Sequence, residues 1–170
     1  MNPITLNHVD VGSGISPLKS AIFNGYSVAM IIFIVSVHGK YTDMVYVGTT
    51  PLHFLISSVE RELGSGKRIN SKYQQQRILE ILSFLLDYKP SLLFAQDEMR
   101  RSPLQMAFSL KMNCGLRNHI AAIMISHIRK YASLCTQALL ETTLDIANNN
   151  NLPKKLIAEL AHLKTAGKKY

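Results

Sequence analysis

The chain has no tryptophan, few acidic residues and only two cysteines, Cys114 and Cys135. Two thiols are too few for a disulfide framework, and their spacing is not that of zinc ligands, so a reducing compartment is the simpler expectation. Asp and Glu number 11 against 19 Lys and Arg, a formal charge of +8. The cations are nevertheless scattered, with clusters only at Lys67-Arg68, Arg100-Arg101 and the tail from Lys164 to Lys169. Aromatics do not interleave with them, which leaves no stacking platform for single strands and argues against nucleic acid as the main partner. The most apolar run, Val28 to Val37, is half as long as the roughly 20 residues a membrane span requires, and reads as a buried helix. The start, Met1-Asn2-Pro3, shows no basic segment followed by an apolar one, so no secretory leader is visible and a cytoplasmic location is expected.

What is present is an ordinary globular mixture, 47% hydrophobic and 18% charged, outside the composition at which chains stay disordered. Within it one phrase returns three times: Ser16-Pro17-Leu18-Lys19, Thr50-Pro51-Leu52-His53 and Ser102-Pro103-Leu104-Gln105. Each copy is a helix start. The hydroxyl residue at the N-cap accepts a hydrogen bond from an orphan N–H, and proline at the first helical position gives up only a donor that had no partner. Gly14 and Gly48 precede the first two prolines by three residues, where a tight turn requires a positive φ; Arg100 holds that place in the third.

After each start a short helix, a turn and a longer apolar helix are expected, the longer ones at Val28–Val37, Arg77–Tyr88 and Leu116–Tyr131. In the second, Ile78, Leu79, Ile81, Leu82, Leu85 and Leu86 fill nearly two faces, which suits a helix sandwiched between neighbours. Two further helices, Leu134–Ala147 and Leu152–Leu163, lack the phrase and are separated by the run Asn148 to Asn151.

The phrase resembles the start of an ankyrin repeat, Thr-Pro-Leu-His-x-Ala recurring about every 33 residues. Pro17 and Pro51 stand 34 apart (51 − 17), whereas Pro51 and Pro103 stand 52 apart (103 − 51), so the second repeat is stretched by about 18 or 19 residues. The resemblance implies an all-α fold: an ankyrin-like helical solenoid with hairpin loops, its repeats near 10–43, 44–95 and 96–131, followed by C-terminal capping helices or a degenerate fourth repeat over 132–170. Gly25 falls where that family ends its first helix, Gly39 near where the second closes; Lys89-Pro90 takes the latter place in the second unit. The insertion, near 59–76, is polar; Glu60–Leu63 is expected to extend the first helix and Gln74–Gln76 to begin the second early, leaving Gly64–Ser71 as an expected mobile tip.

Catalytic patterns are weak. Gly64-Ser65-Gly66-Lys67 lacks the first glycine and the final Ser or Thr of a phosphate loop, having Arg61 and Arg68 in those places. His119 and His127 are eight apart, too far for adjacent-turn metal ligation, with no acidic residue between them. His53, by the resemblance, hydrogen-bonds within its turn and serves structure. No catalytic residue, cofactor or metal is expected.

The resemblance implies a non-catalytic adaptor that binds another protein through a concave surface of hairpin tips and first helices. The family's variable contact positions fall on Phe23 and Asn24 in the first unit, Tyr46, Val47, Thr49, Ser57 and Ser58 in the second, and Glu98, Met99, Arg101, Ser109 and Leu110 in the third. Two alternatives are a bacterial effector delivered into a host cell and acting through the same surface, and an enzyme whose site lies in the insertion or the terminal helices. A monomer is expected, with self-association through an uncovered end as the other reading.

Overall fold

Each of the three phrases opens a helix in the computed structural model, which describes residues 16–38, 49–64, 72–110, 115–131 and 136–166. Among the described residues the regular structure is helical, eight α-helices and a short 3₁₀ turn. They are α1 (Pro17–Phe23), α2 (Val28–His38), α3 (Pro51–Gly64), α4 (Lys72–Tyr88), α5 (Pro103–Ser109), α6 (Gly115–Lys130), α7 (Gln137–Asn149) and α8 (Lys154–Ala166).

The caps work as their chemistry requires. Ser16 Oγ accepts the Lys19 N–H at 3.2 Å, and Ser102 Oγ accepts that of Gln105 while Gln105 Oε1 accepts the Ser102 N–H at 2.9 Å, a reciprocal capping box. The fourth helix pair starts in the same manner without proline: Thr136 Oγ1 accepts the Leu139 N–H at 3.3 Å.

The helices pack as successive pairs, α1 with α2, α3 with α4, α5 with α6 and α7 with α8. The first members touch in order, α1 to α3 to α5 to α7, and so do the second members, α2 to α4 to α6 to α8. One continuous apolar core runs between the two rows. The sandwiched reading holds for α4, which lies between α2 and α6 and buries Ile78, Ile81, Leu82, Leu85 and Leu86. Each such side chain contributes about 1.5–3 kcal/mol by leaving water.

Helix bounds follow the sequence reading into the insertion and pass it by one or two residues. The insertion lengthens both flanking helices: α3 runs to Gly64, through Glu60–Leu63, and α4 begins at Lys72, five residues before Arg77. Residues 65–71, which include most of the expected tip, lie outside the described residues, as do Gly14, Gly39, Gly48, Cys114 and Cys135. After α4, Pro90 opens the 3₁₀ turn Pro90–Leu93, whose Leu92 and Leu93 return to the core. The expectation that Val28–Val37 is a buried helix is corrected. α2 covers Ile31, Ile34 and Val35 against α1 and α4, but Met30, Ile32 and Phe33 remain exposed, Ile32 beside an open groove between α2, α4 and α6.

Two turns share one geometry. α1 ends with Gly25 at φ 73°, the Tyr26 N–H bonding to the Ala21 carbonyl at 2.9 Å and the Gly25 N–H to Ile22 at 3.2 Å. α7 ends with Asn151 at φ 51°, Leu152 bonding to Ala147 and Asn151 to Asn148, each at 3.1 Å. Arginines brace both: Arg77 of α4 donates to the Gly25 carbonyl, and Arg117 of α6 donates to the Asn150 carbonyl at 3.1 Å.

Candidate protein-binding surface

The connection into α5 is a tight reversal from Asp97 to Arg101. The Asp97 N–H bonds to the Arg101 carbonyl and the Arg100 N–H to the Asp97 carbonyl, both at 2.9 Å. Arg100 sits at φ 58°, so the position filled by glycine in the other two copies does require the left-handed region here. Asp97 holds the turn with its carboxylate: Oδ1 accepts the Arg101 N–H at 2.8 Å, and Oδ2 accepts Nε at 3.0 Å and Nη2 at 2.9 Å. Burial raises the Asp97 pKa, but these bonds from Arg101 outweigh it and keep the carboxyl below its usual range.

Glu98 and Met99 stand at the tip of this reversal, both exposed, Met99 to 71%. Arg101 has half of its side chain in solvent while its guanidinium is engaged by Asp97, so it offers a positioned face and not a swinging cation. Thr49 is half-buried, in the corresponding place ahead of α3, and accepts from Lys19 Nζ at 3.5 Å. Tyr46 and Val47 lie outside the described residues.

On the row of first helices, Phe23, Ser57 and Ser109 are exposed, at the end of α1, within α3 and at the end of α5. Asn24 caps α1 and is exposed, its amide donating to Ser20 Oγ at 3.2 Å. Two expected contact residues are placed differently. Ser58 is buried and donates its hydroxyl to the Leu55 carbonyl at 2.8 Å, because the α3 register turns it toward the core one residue after Ser57. Leu110 is 2% exposed, its N–H bonded to Ala107 as α5 closes and its side chain in the core.

Arg61 belongs to this surface and was missed. It lies one helical turn beyond Ser57, on the same face of α3. Its guanidinium covers the Phe23 ring at 3.4 Å and donates to the Phe23 carbonyl at 3.1 Å. This contact joins α1 to α3 and leaves Phe23 38% exposed.

Beneath the surface, the fourth residue of each phrase is buried: Lys19, His53 and Gln105. His53 Nδ1 faces the Thr50 N–H at 3.1 Å and the Thr50 hydroxyl at 2.8 Å, and Nε2 faces the Arg101 carbonyl at 3.0 Å. Two donors on Nδ1 and an acceptor on Nε2 fix the neutral tautomer with its proton on Nε2. Burial pushes the imidazole pKa below its ordinary value, outweighing the Arg101 carbonyl and the Asp97 charge, which pull it up. Lys19 does comparable work one unit earlier: Nζ reaches Thr49 and lies 4.9 Å from the centre of the Phe54 ring, and burial lowers its pKa.

The remaining histidine with a defined role pins the other row. His127 Nδ1 meets the Ile123 carbonyl at 3.0 Å, and Nε2 meets Asp87 Oδ1 at 3.2 Å, so α4 supplies the acidic partner that α6 lacks in sequence. The His127 hydrogen bond, seconded by Lys130, lowers the Asp87 pKa. Among the described residues no three His, Cys, Asp or Glu gather as metal ligands, and no helix is long and apolar enough to cross a membrane. Comparison with protein-family models, with curated proteins and with solved structures finds no match to this chain.

Proposed function

We propose that this chain is an ankyrin-like solenoid that binds another protein, without catalysis, through the Asp97–Arg101 hairpin and the exposed residues Phe23, Asn24, Ser57 and Ser109 of the first helices. The resemblance of the three phrases is supported by the His53 arrangement, an imidazole that closes its own helix start and grips the hairpin of the next unit. The pairwise stacking of helices in two rows supports it as well. The observation that carries the binding reading is Met99: a large apolar side chain, mostly exposed, at the tip of a turn held rigid by the Asp97 carboxylate. A preorganised apolar tip beside a positioned arginine loses little entropy on docking, and Met and Arg are both enriched at protein interfaces.

The test compares the intact chain with a Met99→Ala, Arg101→Ala variant in affinity capture, after circular dichroism establishes equal helicity. A partner retained by the intact chain and lost by the variant supports the hairpin as its docking point. Equal retention by both removes the hairpin from the interface.

A further inference from the structure

The segment Val28–His38 is apolar all round, yet α1 and α4 cover only one side of it. Tyr26, Met30, Ile32 and Phe33 stand in solvent, Tyr26 and Phe33 each 52% exposed. Ile32 also borders an open groove of about 530 Å³ walled by Val28, Leu79, Phe84 and Ile123, from α2, α4 and α6, with Glu80 the one charged group on its rim. An exposed patch of contiguous large apolar side chains marks an interaction site more often than a water-facing helix.

We propose that a second copy of this chain covers this face, α2 against α2 about a twofold axis. Charge selects that occupant. The chain carries +8, so most of its surface repels another copy, but no Lys, Arg, Asp or Glu lies in Val28–His38. A twofold contact needs a surface complementary to itself, which a neutral apolar face is, whereas a strongly charged ligand finds no counter-charge on α2. The groove beside Ile32 offers each copy a seat for the other's Phe33.

The area sets the strength. Four large side chains, roughly half exposed, bury on the order of 400 Å² per copy, and the groove walls add to this, which falls short of stable specific interfaces and within the class of weak, transient ones. The dimer is therefore weak and concentration-dependent, in place of the monomer expected from the sequence. Because burial and not charge holds it, added salt leaves it intact.

Sedimentation velocity from about 1 to about 200 μM, a range that resolves micromolar association, tests the proposal. The intact chain is expected to pass from monomer to dimer across it. Phe33→Glu and Ala29→Lys, which set like charges against each other across the axis, are each expected to weaken the dimer at least tenfold, and Thr142→Glu, exposed on α7, to leave it unchanged. If circular dichroism finds Phe33→Glu unfolded, Ala29→Lys decides, since Ala29 is exposed. A monomer at every concentration, a dimer insensitive to the charge at position 29, or a monomeric chain that uses this face for a different protein overturns the proposal. Met99→Ala is expected to leave the dimer intact, so this result and that of the hairpin test stand apart.

Discussion

His53 Nε2 lies 3.0 Å from the carbonyl oxygen of Arg101, forty-eight positions along the chain, and this bond ties the start of α3 to the hairpin that leads into α5. The same ring accepts at Nδ1 from Thr50, so one buried side chain serves two units. Removing it orphans a donor in one and an acceptor in the other.

His53→Ala should therefore destabilise the fold by about 2–4 kcal/mol, since each buried group left unpaired costs about 1–3 kcal/mol. His53→Gln should cost less than half as much, because Gln105 already closes the equivalent helix start with its side-chain oxygen. Urea denaturation of the three proteins checks the order; equal midpoints for alanine and glutamine would discard the argument.

Acid should weaken the fold through the same ring. The folded pKa is depressed, so between it and the ordinary imidazole value of about 6.5 the unfolded chain binds a proton that the folded chain refuses. This contribution is complete above the ordinary value and is lost as pH falls through that window. Asp97 acts in the same direction further down: its depressed carboxyl stabilises the fold above the ordinary carboxylate range, and this is lost as pH falls through its folded pKa. Melting temperatures at pH 7.5 and 5.5, for the intact chain and His53→Gln, check it; the variant should show the smaller drop.

Arg100→Gly should stabilise the chain by about 0.5–1 kcal/mol. A side chain in the left-handed region costs roughly 1–2 kcal/mol, and the entropy glycine loses on folding returns part of this. Arg100 is exposed, so no buried contact is lost. Denaturant midpoints decide the sign.

Gly25→Ala should destabilise by more than about 1 kcal/mol, since the αL position strains any Cβ. A Cβ there would also stand 2.6 Å from Arg77 Nη1, forcing the guanidinium off the turn it braces. Asn151→Gly, at the matching turn of the last pair, should be neutral or mildly stabilising, and thermal melting of both variants compares them.

The three helix starts were legible because Ser16, Thr50 and Ser102 each cap through their own hydroxyl, which accepts the N–H three residues further on. The lengthening of α3 and α4 into the insertion was legible for a similar reason, as Glu60–Leu63 continues the helical pattern. Thr136 went unread as a fourth start because Gln137 stands where the others have proline, although its hydroxyl caps in the same way. The importance of the fourth position of the phrase was hidden by its variety: Lys19, His53 and Gln105 share no chemistry except reach and the capacity to hydrogen-bond.

Sequence alone determined where the three Pro-Leu helices begin, which segments are apolar, and that helices recur in pairs, because caps, prolines and periodicity act over a few residues. Tertiary structure decided what those helices meet. Ser57 faces water and Ser58 the core, His127 finds Asp87 on another helix, and α2 keeps one apolar side open, because burial depends on which neighbour arrives across tens of residues and not on the residue itself.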